Sequence, residues 1–595
     1  MRVYWRFLSS MILVPALAFL LACGPGAEPT PTATVAPTAT PTLAPAATPT
    51  SAAPATATPT RPGPTATPTP TAVAVATPTP TPGKQPKRGG TLRWGGTSLP
   101  PNFDAQLLSA SSDFFMSGSK LYNNLLVNYV GEVTECEVCS EWHLENNGKA
   151  VVFTLIKGIK FQTGQELTSA DVKYSLRMIM GDVDGIVSPR SGVVKEYIES
   201  IETPDKYTLR INLIRPSPFV PKILANISSV IYRDGTARED FKKAPAGSGP
   251  FLVDKITPGA SWSLVRNPNY FKPGQPYLDK VELTQIVEES TKFAAVMTGR
   301  SDLTMSGAPP PDQYVTLFKQ MAAEGKITFY PYTHGVGFVG VWMVVTKSPF
   351  DNLKLRQAVN LALDRTRLGL ASWGIAPHYP QLLRYTEDSP YSTRPGSEIW
   401  DVVPGWGTVA KKAQEVEQAK QLVKDAGYPN GLDTELIFKT GSYTARGVEE
   451  IQKQLAPIGI RINLNLVSGS AWQERVTALT YTMQYTFVGL GTADPDETVG
   501  GFWVTGAPSN WAGYSNPEVD KLFVQMSSEP DFAKRKQLLR QIEDIVVLKD
   551  IGYAPSPSPA GLAFWWKRLQ GVTIGGGPLN FSSGLTRGDR LWIEE

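Results

Sequence analysis

The chain reads as an α/β protein of two or more lobes carried on an extended tether, and three observations predict this. From residue 88 onward some 500 residues remain, too many for one hydrophobic core, so the chain must divide. Residues 435–466 present a strand, an amphipathic helix and a strand in succession. Glu435 to Phe438 form the first, Val448, Ile451 and Leu455 recur at helical spacing, and Ile460, Ile462, Leu464 and Leu466 alternate strictly. Residues 28–83 hold fifteen Pro, eighteen Thr and fourteen Ala in 56 positions, with only Glu28 and Arg61 charged, and cannot bury a core.

At the N-terminus Arg2 and Arg6 precede fifteen mostly apolar residues, Phe7 to Leu21. A membrane-spanning helix needs about 20 apolar residues, so residues 1–22 read as an export signal. Cys23 directly after Ala22 resembles a lipobox, in which a lipid joins the thiol and cleavage leaves Cys23 as the new N-terminus. The alternative is a plain secretory signal with an incidental Cys. Residues 23–87 then form the tether, whose prolines favour extended conformations, the 56 residues 28–83 reaching about 170 Å at ~3.1 Å per residue. Its Thr-Pro density would equally suit O-glycosylation. The 57 basic and 54 acidic residues nearly balance, so no basic surface and no nucleic-acid partner are expected.

The globular part opens with a glycine-led strand, Arg88 to Gly95, and a helical stretch around Lys120 to Leu126. Cys136 and Cys139 follow. In an exported protein two nearby cysteines suggest a disulfide, with free thiols the next reading. A metal site would need two more ligands, and the chain has only His143, His334 and His378. Val151 to Phe161 alternates as a strand pair, and Thr163-Gly164 turns into a helix that Thr168 and Asp171 cap, with Val172, Leu176 and Ile179 on one face. Ile201 to Tyr207 is expected to turn into the strand Thr208 to Leu213.

In residues 245–303, Gly247 and Gly249 allow a tight turn, Pro250 sets φ, and Phe251 to Val253 begin a strand. Trp262 to Val265 form a second strand, Arg266-Asn267-Pro268-Asn269 is turn chemistry, and Val281, Leu283 and Gln285 continue in period two. A helix carrying Phe293, Val296 and Met297 stops at Gly299. Phe329 to Thr346 is rich in aromatic and β-branched residues. The literal G-x-G-x-x-G from Gly335 to Gly340 lies inside this run and opens no helix, which argues against dinucleotide binding. A helix from Lys354 to Leu370 points Leu355, Val359, Ala362 and Leu363 inward, its charges reading as a solvated face and local ion pairs. Another, Ala410 to Ala426, is stopped by Gly427 and Pro429. No G-x-S-x-G, H-E-x-x-H or Walker-type loop marks an enzyme.

Motifs now stand in a specific order: G-S-G-P-F from Gly247, R-N-P-N-Y from Arg266, P-Y-L-D from Pro276, G-R-S-D from Gly299, R-Q-A-V-N-L-A-L-D-R from Arg356, D-P-D from Asp494, and N-W-A-G-Y-S-N-P-E-V-D from Asn510. This series resembles the family 5 extracellular solute-binding proteins, receptors of peptide-type ABC importers. Ser248 stands for the commoner Thr and Phe271 for Trp, and Cys136 to Cys139 fall where members carry a Leu-Ala pair ahead of the Trp matched by Trp142. The resemblance implies an α/β, bilobal periplasmic-binding-protein-like fold of type II in its large three-domain variant. Lobe I would comprise 88–115, 200–305 and 563–595, an inserted small domain 116–199, and lobe II 306–562. Ligand would lie in the interlobe cleft, enclosed by hinge closure. The implied function is a monomeric, cofactor-free, non-enzymatic receptor that delivers a peptide or similar oligomeric solute to an ABC permease. An oligosaccharide receptor, or a solute sensor on the same fold, is the alternative.

In peptide-binding relatives a carboxylate in or just before the D-P-D tract accepts the ligand's α-ammonium, a charge-assisted bond. Here Val488 to Thr492 contain no carboxylate, and Gly491 occupies the position where dipeptide receptors carry an Asp. The expected substrate-binding residues are therefore Asp494, Asp496 and Trp511. Asp494 before Pro495, with Glu497 three positions on, is also good helix-capping chemistry, and that is the favoured reading of these residues. The fourteen Trp and twenty-one Tyr suit stacking on sugar rings as well as an ordinary core.

Overall fold

The computed structural model describes residues 85–594, apart from 97–98, 101, 108–117, 129–133, 187, 189–191, 196, 226–228, 307–311, 333–336, 375–377, 388, 408, 440–441, 491–493, 508, 560 and 573–587. The signal, Cys23, the tether to residue 84, Gly335, Val336 and Gly491 lie outside the described residues.

β1 (Thr91–Gly96) opens lobe I. The helix ends at Leu121, and Leu126, expected to be helical, pairs instead opposite Cys136 in a short antiparallel ladder of Leu126–Asn128 with Thr134–Cys136. Cys136 and Cys139 are joined as a disulfide with Cα atoms 5.0 Å apart. Inside that turn Glu137 is buried and accepts the backbone N–H of Asn124 at 2.8 Å.

The inserted domain contains β2 (Cys139–Glu145), β3 (Ala150–Leu155), α1 (Ser169–Met180), β4 (Ile198–Asp205), β5 (Thr208–Leu213) and α2 (Val220–Leu224). Its antiparallel sheet runs β2-β3-β5-β4. Asp171 accepts the Thr168 N–H at 2.7 Å, and Val172, Leu176 and Ile179 are buried. Two expectations change. The alternation of 151–161 is one strand ending at Leu155, and Ile159 and Phe161 bury their side chains from the turn that follows. Residues 201–205 are strand, and the turn is confined to 206–207. Because β4, β5 and α2 share the core of β2 and β3, the small domain extends well past the expected boundary at 199.

The chain returns to lobe I through β6 (Phe251–Thr257), β7 (Ser261–Arg266), β8 (Lys280–Gln285), α3 (Glu289–Met297), β9 (Leu303–Ser306), α4 (Asp312–Ala323) and β10 (Ile327–Tyr332). Lobe II follows with β11 (Gly337–Met343), α5 (Leu353–Ala362), α6 (Arg365–Trp373), α7 (Val409–Asp425), β12 (Leu432–Lys439), α8 (Ser442–Leu455), β13 (Ile460–Val467) and β14 (Met483–Gly489). It continues with α9 (Pro495–Phe502), α10 (Pro517–Ser528), α11 (Phe532–Glu543) and β15 (Tyr553–Pro555), after which β16 (Gly561–Trp566) re-enters lobe I.

The lobe I sheet is ordered β10-β16-β9-β1-β8-β7-β6 and that of lobe II β13-β12-β14-β11-β15. The expected strand, helix and strand at 435–466 are β12, α8 and β13, with the two strands parallel. The expected boundary at 306 moves, since β10 pairs with β16 and α4 packs on the lobe I sheet through Val315 and Phe318. Lobe II thus runs from β11 to β15 and the short bridge strand Ser558–Pro559.

The single helix expected at 354–370 is broken in two. Leu363 is extended, with ψ 115°, and Asp364 caps α6 by accepting the Arg367 N–H. Nor do the motif's two arginines form a solvated face, for both are buried and donate to backbone carbonyls. Arg365 reaches Pro555 O at 3.0 Å and Asn360 O at 2.8 Å, and Arg356 reaches Phe350 O and Asp550 O at 2.8 Å each. Burial pushes the Arg365 guanidinium down to about 9. Helical periodicity could not reveal this, because three of the carbonyls that hold the arginines, those of Gly405, Asp550 and Pro555, come from distant segments.

Candidate functional site

The central pair of lobe II strands, β11 and β14, runs antiparallel from Met343 opposite Met483 to Gly337 opposite Gly489. One face of the pair carries Phe338, Trp342 and Val488 in the same core as α9. Trp342 stacks on Trp503 with ring centroids 5.0 Å apart and planes 5° from parallel. This apolar layer carries α9, and the D-P-D tract sits at its N-terminus. Asp494 is the N-cap, accepting the Asp496 N–H at 3.0 Å, and Pro495 takes the first helical position, where a missing N–H costs nothing.

Both carboxylates are enclosed, with no side-chain exposure, and meet one guanidinium from α11. Arg535 Nη1 donates to Asp494 Oδ2 at 2.7 Å, and Nη2 donates to Asp494 Oδ1 and Asp496 Oδ1 at 2.6 Å each. Its Nε donates to Met526 O at 3.1 Å. Tyr391 donates to Asp494 Oδ2 at 3.0 Å, and Tyr197 and Ser527 both donate to Asp496 Oδ2 at 2.7 Å. One cation between two buried anions treats them unequally. Burial raises both carboxyls, but the charge of Arg535 and its bonds outweigh it at Asp494, which is held below the ordinary value. At Asp496 burial prevails over Arg535, the neighbouring Asp494 adds repulsion, and the carboxyl titrates above the ordinary value.

Asp494 and Asp496 are therefore brought together, while their oxygens are taken up by protein donors and the capping bond is present. Trp511 belongs to a different group. It is half-buried, with its ring 5.6 Å from Trp342, 5.2 Å edge-on from Trp472 and 5.4 Å edge-on from Phe502. The sequence reading missed Arg535, Tyr391 and Tyr197. Arg535 lies in the basic run Lys534-Arg535-Lys536, which looks like a solvated helix face, and Tyr197 is 299 residues from its partner Asp496. No local pattern signals either one. Among the described residues no group of three or more His, Cys, Asp or Glu could hold a metal ion.

Two α/β lobes on separate sheets, crossed by the chain between β10 and β11 and again between β15 and β16, with a third domain inserted in the first lobe, define a bilobal binding protein. The description "bacterial extracellular solute-binding proteins, family 5 middle" matches residues 135–510, and the chain belongs to this family. Its family comprises extracellular solute-binding proteins and not enzymes. The chain is similar to heme-binding protein A of Haemophilus influenzae, with 24% identity across 80% of this chain and 91% of that one. Glutathione-binding protein GsiB of Escherichia coli is 26% identical across 69% and 78%. In fold it is similar to DppA of Helicobacter pylori in complex with the peptide STSA, with TM-score 0.70 and 22% identity, covering 86% of this chain and 99% of that one.

Proposed function

We propose that this receptor captures a peptide or similar oligomeric solute between lobes I and II and delivers it to the permease. The observation that carries the reading is the division into two sheets joined by strand crossings, an architecture shared with a receptor solved around a peptide. Asp494 and Asp496 act from beneath the cleft wall, holding the start of α9 in place, and Trp511 braces the same helix from its other end. They do not bond the ligand's ammonium. Calorimetry with peptide and oligosaccharide libraries tests both statements. Peptides give saturable heat and oligosaccharides none, and the preference for free over N-acetylated peptide is the same in wild type and Asp496→Asn. Tight sugar binding without peptide binding would overturn the ligand class, and loss of the preference in the variant would restore the ammonium anchor.

The mature protein is held at the outer face of the membrane by a lipid on Cys23, with residues 24–87 as tether and the Cys136–Cys139 bridge formed after export. The short apolar run ending in a small residue before Cys supports this. Cys23→Ser moves the receptor from the membrane fraction to the soluble one, and intact-mass analysis of wild type finds a diacylated N-terminus at Cys23. A mass starting elsewhere without lipid would refute it.

A further inference from the structure

The small domain is fastened on both sides, and the two fastenings differ in kind. Toward lobe I it is held by Arg238, which donates to Asp104 at 2.7 Å, to Asp184 at 2.5 Å and to Met178 O at 3.0 Å, bridging the end of α1 to the lobe I core. Breaking that contact would strand a charge in a largely enclosed site. Toward lobe II the contact is made on the Asp494, Asp496 and Arg535 knot. The ionic part of this knot is complete within lobe II, since all three residues belong to it. What the small domain adds is the Tyr197 hydroxyl on Asp496, the Phe219 ring 3.6 Å from the Arg535 guanidinium carbon, and Lys222 Nζ donating to the Tyr391 hydroxyl at 3.2 Å. If these surfaces part, the salt bridges among Asp494, Asp496 and Arg535 stay paired, and the losses are two hydrogen bonds, from Tyr197 and from Lys222, and the contact of the Phe219 ring with the guanidinium. The three charges of the knot sum to minus one while all are ionised, and the ammonium of Lys222 approaches from the other side.

We propose that Tyr197 and Lys222 are the moving half of a closing clasp, and that the small domain travels with lobe I and clips onto the Asp496 and Arg535 knot of lobe II when the cleft shuts. Tyr197 and Lys222 are positioning residues. They set how far the receptor is closed, and the inference holds whatever solute the cleft takes. A contact that holds on one side through buried ion pairs and on the other through two single hydrogen bonds and a ring contact, none of them an ion pair, is suited to reversible opening.

Distance measurement between paired spin labels tests the clasp without a ligand. The labels are placed by Glu199→Cys on β4 and Lys521→Cys on α10, both exposed, in the full-length receptor kept in detergent. Wild type shows a short-distance component for the clipped state and a longer one for the open state. Tyr197→Phe removes the hydrogen bond to a charged acceptor and raises the open-to-closed ratio about tenfold. Lys222→Met acts in the same direction, and both variants keep the wild-type thermal midpoint within a few degrees because the lobe II ion pairs are untouched. A wild-type distribution with no short component, or ratios unchanged in both variants, overturns the proposal. A shift that appears only together with a large loss of thermal stability also overturns it, since the residues would then be holding the fold and not the closure.

Discussion

Replacing Arg535 by Met lowers the stability of the folded receptor by about 3–5 kcal/mol, the range for removing one partner from a buried ion pair. The guanidinium meets two enclosed carboxylates, and neither has solvent to turn to. The damage comes from the uncompensated carboxylates, more than from the lost attraction, so Asp494→Asn and Asp496→Asn added to Arg535→Met recover part of it. The penalty also depends on pH with a definite sign. Asp496 already titrates above the ordinary carboxyl value and rises further without Arg535, and Asp494, which Arg535 holds below its ordinary value, rises as well once that charge is gone. A carboxyl whose folded pKa lies above its unfolded one favours the folded state at low pH and loses that contribution as pH rises through the folded value. The variant is therefore closest to wild type in mildly acid buffer and falls away toward neutral and alkaline pH. Denaturant titrations at several pH values check this, and a difference below about 1 kcal/mol at pH 8 would show that the site admits water once the arginine is gone.

Gly249→Ala costs about 3 kcal/mol or more and leaves little folded receptor, although it adds a single methyl group in the G-S-G-P-F turn. The Gly249 N–H donates to Leu121 O at 2.9 Å, so the two backbones are in contact. A Cβ at Gly249 would lie 2.3 Å from the Leu121 carbonyl carbon and 2.6 Å from Lys120 O. Those atoms are backbone and cannot swing aside as a side chain would, so the helical turn at 118–121 must shift away from the sheet. Overpacking a core by one methyl typically costs 1–3 kcal/mol, and displacement of a hydrogen-bonded backbone places this site at or beyond the upper end. Gly274→Ala is the control for the general cost of replacing a glycine, because Gly274 has open space at its Cβ position but a φ of 77°. If Gly249→Ala proves no worse than Gly274→Ala, the close approach is not what selects glycine there.

The glycines of this motif were legible in the sequence as a turn, but the turn accounts for only part of their role. The close approach that excludes a side chain is to a segment well over a hundred residues away, which no local pattern records. The same division runs through the candidate site. That Asp494 starts a helix could be read from Asp-Pro with Glu three positions on, since a capping bond is closed within the same few residues. That Asp494 and Asp496 share one buried guanidinium could not, because Arg535 looks like its solvated neighbours Lys534 and Lys536 until α11 is packed against α9.

By itself the sequence determined the α/β class, the family, the capping box at Thr168, the strand, helix and strand at 435–466, and the helix that stops at Gly427. Each rests on periodicity, on hydrogen bonds closed within one turn, or on an ordered series of motifs. Only the tertiary structure decided that β4 and β5 belong to the small domain, that one expected helix is two with Arg356 and Arg365 buried, and that the D-P-D carboxylates face Arg535 of their own lobe and Tyr197 of the small domain. Those outcomes depend on which distant carbonyls, strands and charges arrive at the same place, and a buried charge is tolerated only where its partners have arrived with it.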